Sequence, residues 1–153
     1  MKKKTIYQII EIVSVLLVAG LGSLFVNLGM GWFDALKKPT QWIPNFVIPV
    51  VWSIIYLLAA IYLFIEIKND RLGKEEMWWF VANGVLNILW CLVFFTLNQT
   101  LLGLVFIVLN LVAGWILFGK ISKKQNWLSR ILIIYPIWLS IATSLNLCLW
   151  ILN

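Results

Sequence analysis

Apolar residues in this chain neither alternate nor keep to one helical stripe; they run almost unbroken for the length of a bilayer crossing. About 20 such residues carry a helix across the hydrocarbon core. Five runs reach that length: Ile6 to Leu28, Phe46 to Ile67, Met77 to Leu97, Leu101 to Gly119 and Ser129 to Leu152. The pattern predicts an all-α, integral membrane bundle of five transmembrane helices, a single domain over residues 1–153. The connections are short except the first, Gly29 to Asn45. Asn98-Gln99-Thr100 leaves room only for a tight turn, so the third and fourth spans are antiparallel neighbours. No internal repeat is visible, and an odd number of spans argues against two equal transporter halves. Lys2, Lys3 and Lys4 precede the first run, which reads as a span because it is too long for a signal peptide's apolar region.

Charge orients the bundle. Twelve basic and six acidic residues give a formal +6. The basic residues sit in clusters between the spans and form no stripe, which argues against nucleic-acid binding. Lys2, Lys3, Lys4, Lys68, Arg71, Lys74, Lys120, Lys123, Lys124 and Arg130 fall on one side, and only Lys37 and Lys38 on the other. The positive-inside rule then predicts a cytoplasmic N-terminus, with the first loop and the C-terminus outside. Histidine is absent, which removes imidazole acid–base chemistry and the usual axial haem ligand. Cys91 and Cys148 both lie inside apolar runs, where cysteine acts as a small hydrophobe. No metal site is expected. Glu11 and Glu66 lie near span ends and are expected to snorkel or pair at the interface.

Ten tryptophans are present. Trp78, Trp79, Trp127 and Trp150 fit an aromatic belt at headgroup level. Trp52, Trp90, Trp115 and Trp138 lie deeper, where an indole N–H wants a partner. Such rings face protein or a cavity, either as packed core or as the walls of a ligand pocket. Helical spacing places Trp52 and Tyr56 on one face of the second span. Asn87, Trp90 and Phe94 share a face of the third, and Trp138, Ala142 and Asn146 of the fifth. The first span offers Gly20, Ser23 and Asn27, and the fourth Gly103, Phe106, Asn110 and Gly114. Small and amide residues of this kind serve close helix packing and interhelical hydrogen bonds. The aromatic members of three faces nevertheless fall at one depth beneath the first loop, where a bundle would hold a pocket. That loop carries Trp32, Phe33 and Trp42 and is stiffened by Pro39 and Pro44; it reads as a lid or as an interfacial segment.

These residues resemble the TspO/MBR family, the tryptophan-rich sensory proteins of bacteria and the mitochondrial translocator protein (the peripheral-type benzodiazepine receptor). The resemblance rests on Trp138-x3-Ala142-Thr143-x-Leu145-Asn146-x3-Trp150-x2-Asn153, on Leu86-Asn87-x2-Trp90 with Phe94-Phe95, on Trp52-x3-Tyr56, and on Lys38-Pro39 with Trp42-x-Pro44. The loop departs from the family pattern by an extra residue before Trp42 and by Asn45 in place of a second proline. Leu147 and Ile151 stand where animal members carry the tyrosine and basic residue of a cholesterol motif, so sterol binding is not implied.

What the resemblance does imply is a five-helix bacterial-type membrane protein whose pocket, closed by the first loop, binds protoporphyrin IX or a related tetrapyrrole. Isoquinoline carboxamide and benzodiazepine-type compounds are implied ligands as well. Members are often dimeric and are linked to stress responses. Some promote light- and oxygen-dependent porphyrin breakdown, for which Trp52 and Trp138 match the implicated tryptophans. The ligand-binding set would be Ser23, Trp32, Trp42, Trp52, Tyr56, Asn87, Trp90, Phe94, Trp138, Ala142 and Asn146. No cofactor is required beyond the porphyrin, light and oxygen. Two other classes stay open: a transporter or channel for porphyrin or other small apolar molecules, and a ligand-switched interaction protein in stress response.

Overall fold

The computed structural model describes residues 3–40 and 42–153, and Lys2 lies outside them. Every regular element among the described residues is helical. Helix α1 spans Lys3–Ala35, α2 Val47–Lys68 and α3 Lys74–Cys91, the last prolonged by a π-helical turn, Leu92–Thr96. Helix α4, Thr100–Ile121, runs into a 3-10 turn at Ser122–Lys124, and two further helices follow, α5 at Trp127–Ile131 and α6 at Ile134–Leu152. Among the described residues five stretches are long and apolar enough to cross a membrane, α5 and α6 together making the fifth. Helices dominate because hydrocarbon offers no water to bond a free N–H or C=O, so each segment must satisfy its own backbone.

The connections reverse the chain by turn chemistry. Asp70, Asn98 and Gln125 adopt positive φ, the left-handed conformation that short polar residues tolerate at helix ends. Asn126 caps α5 by accepting from the Ser129 N–H at 2.7 Å. Helix α1 packs on α2 and α3, α3 on α4, and α4 on α6, while α2 touches α5 and α6 and closes the ring. One end of the bundle thus gathers the start of α1 and the α2–α3 and α4–α5 links (the basic end). The other gathers the α1–α2 segment, the α3–α4 turn and the end of α6 (the lid end).

The first connection is shorter than the sequence suggests. Helix α1 continues past Leu28 to Ala35, so Trp32 and Phe33 belong to its last turns, not to a loop. No residue before Pro39 forbids helix, and Gly29 is required by packing rather than by a bend. A Cβ at Gly29 would stand 1.9 Å from the Phe95 carbonyl oxygen. The Thr96 hydroxyl donates to the Phe25 carbonyl at 2.9 Å beside this contact. The π turn admits one extra residue into a turn, and adjacent Phe94 and Phe95 are both buried there.

The fifth span is interrupted at Leu132 and Ile133. Pro136 has no N–H to give the Leu132 carbonyl, which instead accepts from the Tyr135 N–H at 3.1 Å.

At the basic end Glu66 is paired as expected, with Arg71 at 3.0 Å and Lys124 at 2.7 Å. Lys124 also holds Glu76 at 2.7 Å, tying α2, α3 and the end of α4 together. Glu11 does not snorkel. Helix α1 begins early enough to place it about two turns deep, where it is only 8% exposed and neither carboxyl oxygen has a partner.

Trp78, Trp127 and Trp150 are exposed, as a belt requires. Trp115 is exposed too, against the expectation that it faces protein or a cavity. Its neighbour Gly114 takes the inward direction against Leu139, and the next position on a helix points about 100° away.

Candidate ligand site at the lid end

Seven of the eleven expected binding residues converge at the lid end: Trp42, Trp52, Trp90, Phe94, Trp138, Ala142 and Asn146 line one pocket there. Phe33, Ile48, Phe95, Leu145 and Leu149 complete its walls. Each helix delivers its ring by the spacing read from the sequence, and the rings form a continuous series. Trp52 and Tyr56 stack with centroids 5.7 Å apart, Trp52 and Trp90 lie at 6.1 Å, and Trp90 stacks on Phe94 at 6.1 Å with 18° between planes. Offset aromatic pairs in this range attract beyond the burial of their area.

The pocket is small, about 40 Å³, well under the few hundred needed for a drug-sized ligand. The protein's own rings take the space. Phe33 reaches in from the extension of α1 and meets Phe94 and Phe95 at 6.3 and 5.3 Å, and Trp42 lies against Phe33 at 6.3 Å. The open container expected under the first loop is therefore found filled.

Residues 36–40 and 42–46 cover this end. Leu36, Trp42 and Ile43 pack on the buried aromatic cluster, which is the lid arrangement rather than a strip lying on the membrane. Two polar fastenings hold it. Asn153 accepts from the Lys37 N–H at 2.9 Å and donates to the Lys37 carbonyl at 3.1 Å. The Lys38 ammonium donates to the Phe33 carbonyl at 2.8 Å and lies 4.5 Å from the Phe33 ring centroid. Asn45, the departure from the family pattern, accepts from the Trp42 indole N–H at 3.2 Å and so orients that ring.

Polar satisfaction is uneven. The Trp90 indole donates to Asn146 Oδ1 at 3.0 Å, and Asn146 Nδ2 donates to the Thr100 carbonyl at 3.1 Å. The Trp138 indole nitrogen is buried without any partner. A buried donor left unmade costs about 1–3 kcal/mol, so this N–H is an open place for an acceptor.

The remaining expected residues lie elsewhere. Trp32 packs edge-on against Phe94 at 5.5 Å, behind the pocket wall. Tyr56 and Asn87 are bonded to each other, hydroxyl to Oδ1 at 3.0 Å, on the far side of Trp52. Ser23 is exposed on the outside of α1. The inward face of that helix is set by Gly22, whose Cβ position lies 3.5 to 3.8 Å from Cys91, Asn87 and Tyr56, and by Gly29. Gly20 and Asn27 share the outward exposure of Ser23.

Phe33, Phe95 and the lid fastening by Asn153 were not singled out as site residues by sequence reasoning. The signal available for Phe95 was its place beside Phe94, which only a π turn turns inward.

A second and larger chamber, about 750 Å³, occupies the half of the bundle toward the basic end. Helices α1, α2 and α3 wall it, with Gly114, Leu117 and Tyr135 behind. Trp52 lines both chambers.

The chain is similar in sequence to known proteins. The family model described as the TspO/MBR family matches residues 11–151. Protein CrtK of Rhodobacter capsulatus is 34% identical over 130 residues, 80% of this chain and 78% of its own. Tryptophan-rich protein TspO of Archaeoglobus fulgidus is 30% identical over 146 residues, 94% of each chain. The Translocator protein of Homo sapiens is 28% identical over 136 residues, 84% of this chain and 79% of its own.

Proposed function

The chain belongs to the TspO/MBR family of multi-pass membrane proteins, and from that premise we propose that it is a tetrapyrrole-binding sensor or translocator. Protoporphyrin IX, or a ring of its kind, enters the lid-end pocket when the lid segment withdraws Trp42 and the end of α1 moves Phe33 aside. The observation that carries this reading is the buried Trp138 indole N–H, unpartnered beside the ring series of Trp52, Trp90 and Phe94. A flat π-system gains from stacking between such rings, and its carboxylate or carbonyl supplies the missing acceptor. Isoquinoline carboxamides, flat and carrying a carbonyl, suit the same place. With no histidine in the chain, a metal-free porphyrin fits better than haem.

Under light, the excited ring takes an electron from Trp52 or Trp138 and passes it to dioxygen. The tryptophan cation recovers an electron from the ring, and the ring cation combines with the superoxide. One bridging C=C and O2 thereby become two carbonyls, with no acid–base residue required. Trp32 supports Phe94 from behind, and Tyr56 and Asn87 hold Trp52 from below. The N-terminus is cytoplasmic on the charge count, which puts the lid outside the cell membrane.

The experiment is porphyrin quenching of protein fluorescence, with turnover under illumination, in wild type, Trp52→Phe and Trp138→Phe. Binding with loss of illuminated turnover in the variants supports the photochemical role. Equal turnover in all three sinks it, and absence of saturable binding in wild type sinks the site. Transport is favoured by one observation, that two chambers meet at Trp52; porphyrin flux into proteoliposomes separates it from sensing.

A further inference from the structure

The larger chamber contains an acid that the tetrapyrrole site does not use. Glu11 lines it from α1, and both of its carboxyl oxygens are buried without a partner. An unpaired carboxylate in hydrocarbon is costly, and such residues face interior cavities and pair with something. Among the described side chains none supplies the pairing. Among the described residues no lysine or arginine lines the chamber. At the basic end Arg71 holds Glu66, and Lys124 holds Glu66 and Glu76. The other acid on the wall, Asp70, stands at the α2–α3 turn and is exposed, and Tyr7, Tyr56 and Tyr135 bring hydroxyls but no positive charge.

The chamber is long and otherwise apolar. It follows α1 from Glu11 up to the level of Gly22, which approaches Asn87 and Tyr56; eleven residues of helix rise about 16 Å. Ile10, Val18, Ile55, Leu63, Phe80 and Ile88 supply apolar walls. At the upper end the Asn87 amide nitrogen is a buried donor without a partner. The rim includes exposed Tyr7, Ile10, Met77 and Val81, so the chamber opens sideways between α1 and α3.

We propose that this chamber is a second ligand site, distinct from the lid-end pocket, for an amphipathic amine. The ammonium pairs with Glu11 and the apolar body lies along α1 toward Asn87 and Trp52. The charge of the acid selects a cation over a neutral or anionic amphiphile, and the lateral opening admits it from the membrane. This reading stands independently of the tetrapyrrole assignment.

The test uses the full chain in neutral detergent, with dodecylamine and dodecanol as probes of equal length, bound adducts being resolved by native mass spectrometry. Wild type is expected to bind dodecylamine at least ten-fold more tightly than dodecanol. Glu11→Gln, which keeps the shape and removes the charge, is expected to abolish that preference, while Glu11→Asp retains it in part. Ala59→Trp, which fills the chamber and leaves Glu11 intact, should lose both probes. Equal affinity for the two probes in wild type overturns the proposal. So does unchanged amine binding in Glu11→Gln or in Ala59→Trp, and so does a copurified phospholipid that dodecylamine cannot displace. Porphyrin binding, followed by its absorbance, should be the same in Glu11→Gln as in wild type, so a failure of either site is seen separately.

Discussion

The Trp90 indole N–H points at the amide oxygen of Asn146, 3.0 Å away across the α3–α6 interface. Residues 56 positions apart in sequence thereby fix the ring that stands between Trp52 and Phe94. The other half of the amide holds the Thr100 carbonyl at the start of α4, so one side chain joins three helices. Replacing Asn146 by Leu should cost about 1 kcal/mol, the usual scale for interhelical hydrogen bonds within membranes. A double-mutant cycle with Trp90→Phe, followed by reversible unfolding in mixed micelles, should return a coupling of the same size. A coupling near zero would mean that packing alone positions Trp90.

Gly29 offers a sharper contrast. A methyl group there meets the Phe95 backbone, which cannot rotate aside. Gly29→Ala should therefore fall at or above the upper end of the roughly 1–3 kcal/mol typical of overpacking. Gly20→Ala, nine residues away on the open face of α1 with nothing within 4 Å of the added carbon, should leave the melting temperature unchanged or raise it slightly. Thermal denaturation of the two variants in one detergent decides the matter.

The ion cluster at the basic end should divide in the same manner. Glu66 is 1% exposed and serves both Arg71 and Lys124. Glu66→Gln leaves the Lys124 ammonium without its most buried counter-charge, and removing one partner of a buried pair costs about 3 kcal/mol or more. Glu75, 80% exposed in its pair with Lys120, is screened by solvent, and Glu75→Gln should not change unfolding measurably. Added salt should narrow the Glu66 difference little, because that carboxylate is buried and its pairs are screened far less than exposed ones.

The lid fastening predicts a kinetic effect. Asn153→Ala removes both bonds to the Lys37 backbone and one to the Leu149 carbonyl, while every side chain that lines the pocket is kept. Porphyrin should enter several-fold faster in stopped-flow fluorescence, with little change in unfolding. Entry at the wild-type rate would show that Lys38 and the Trp42 ring hold the lid by themselves.

Much of this architecture was legible because lipid imposes simple requirements. The five spans follow from run length, and the α3–α4 turn from the three polar residues between two of them. Trp52, Trp90, Phe94, Trp138, Ala142 and Asn146 meet because helical periodicity was enough to group them. Facing was harder to read, because a helix in lipid is apolar on both sides. Ser23 and Trp115 look inward by type and point outward in the fold, since Gly22 and Gly114 take the inward positions beside them. The lid pocket is full because α1 runs on through Phe33, and no helix breaker before Pro39 announced its end. Glu11 depends on where α1 begins and on what stands opposite, neither of which a single run of residues discloses.

The π turn at Leu92–Thr96 has a consequence for the whole third span. One residue in excess within a single turn is a phase shift of about 100° in the face a helix presents. Before the shift, α3 turns Asn83, Gly84 and Asn87 to the larger chamber. Trp90, still ahead of the shift, faces the lid-end pocket, and the turn adds both Phe94 and Phe95 to that wall. The extra residue thus lets two adjacent rings, rather than one, join Trp90 on the same wall, and deleting a residue from the turn would swing one of them away from the pocket.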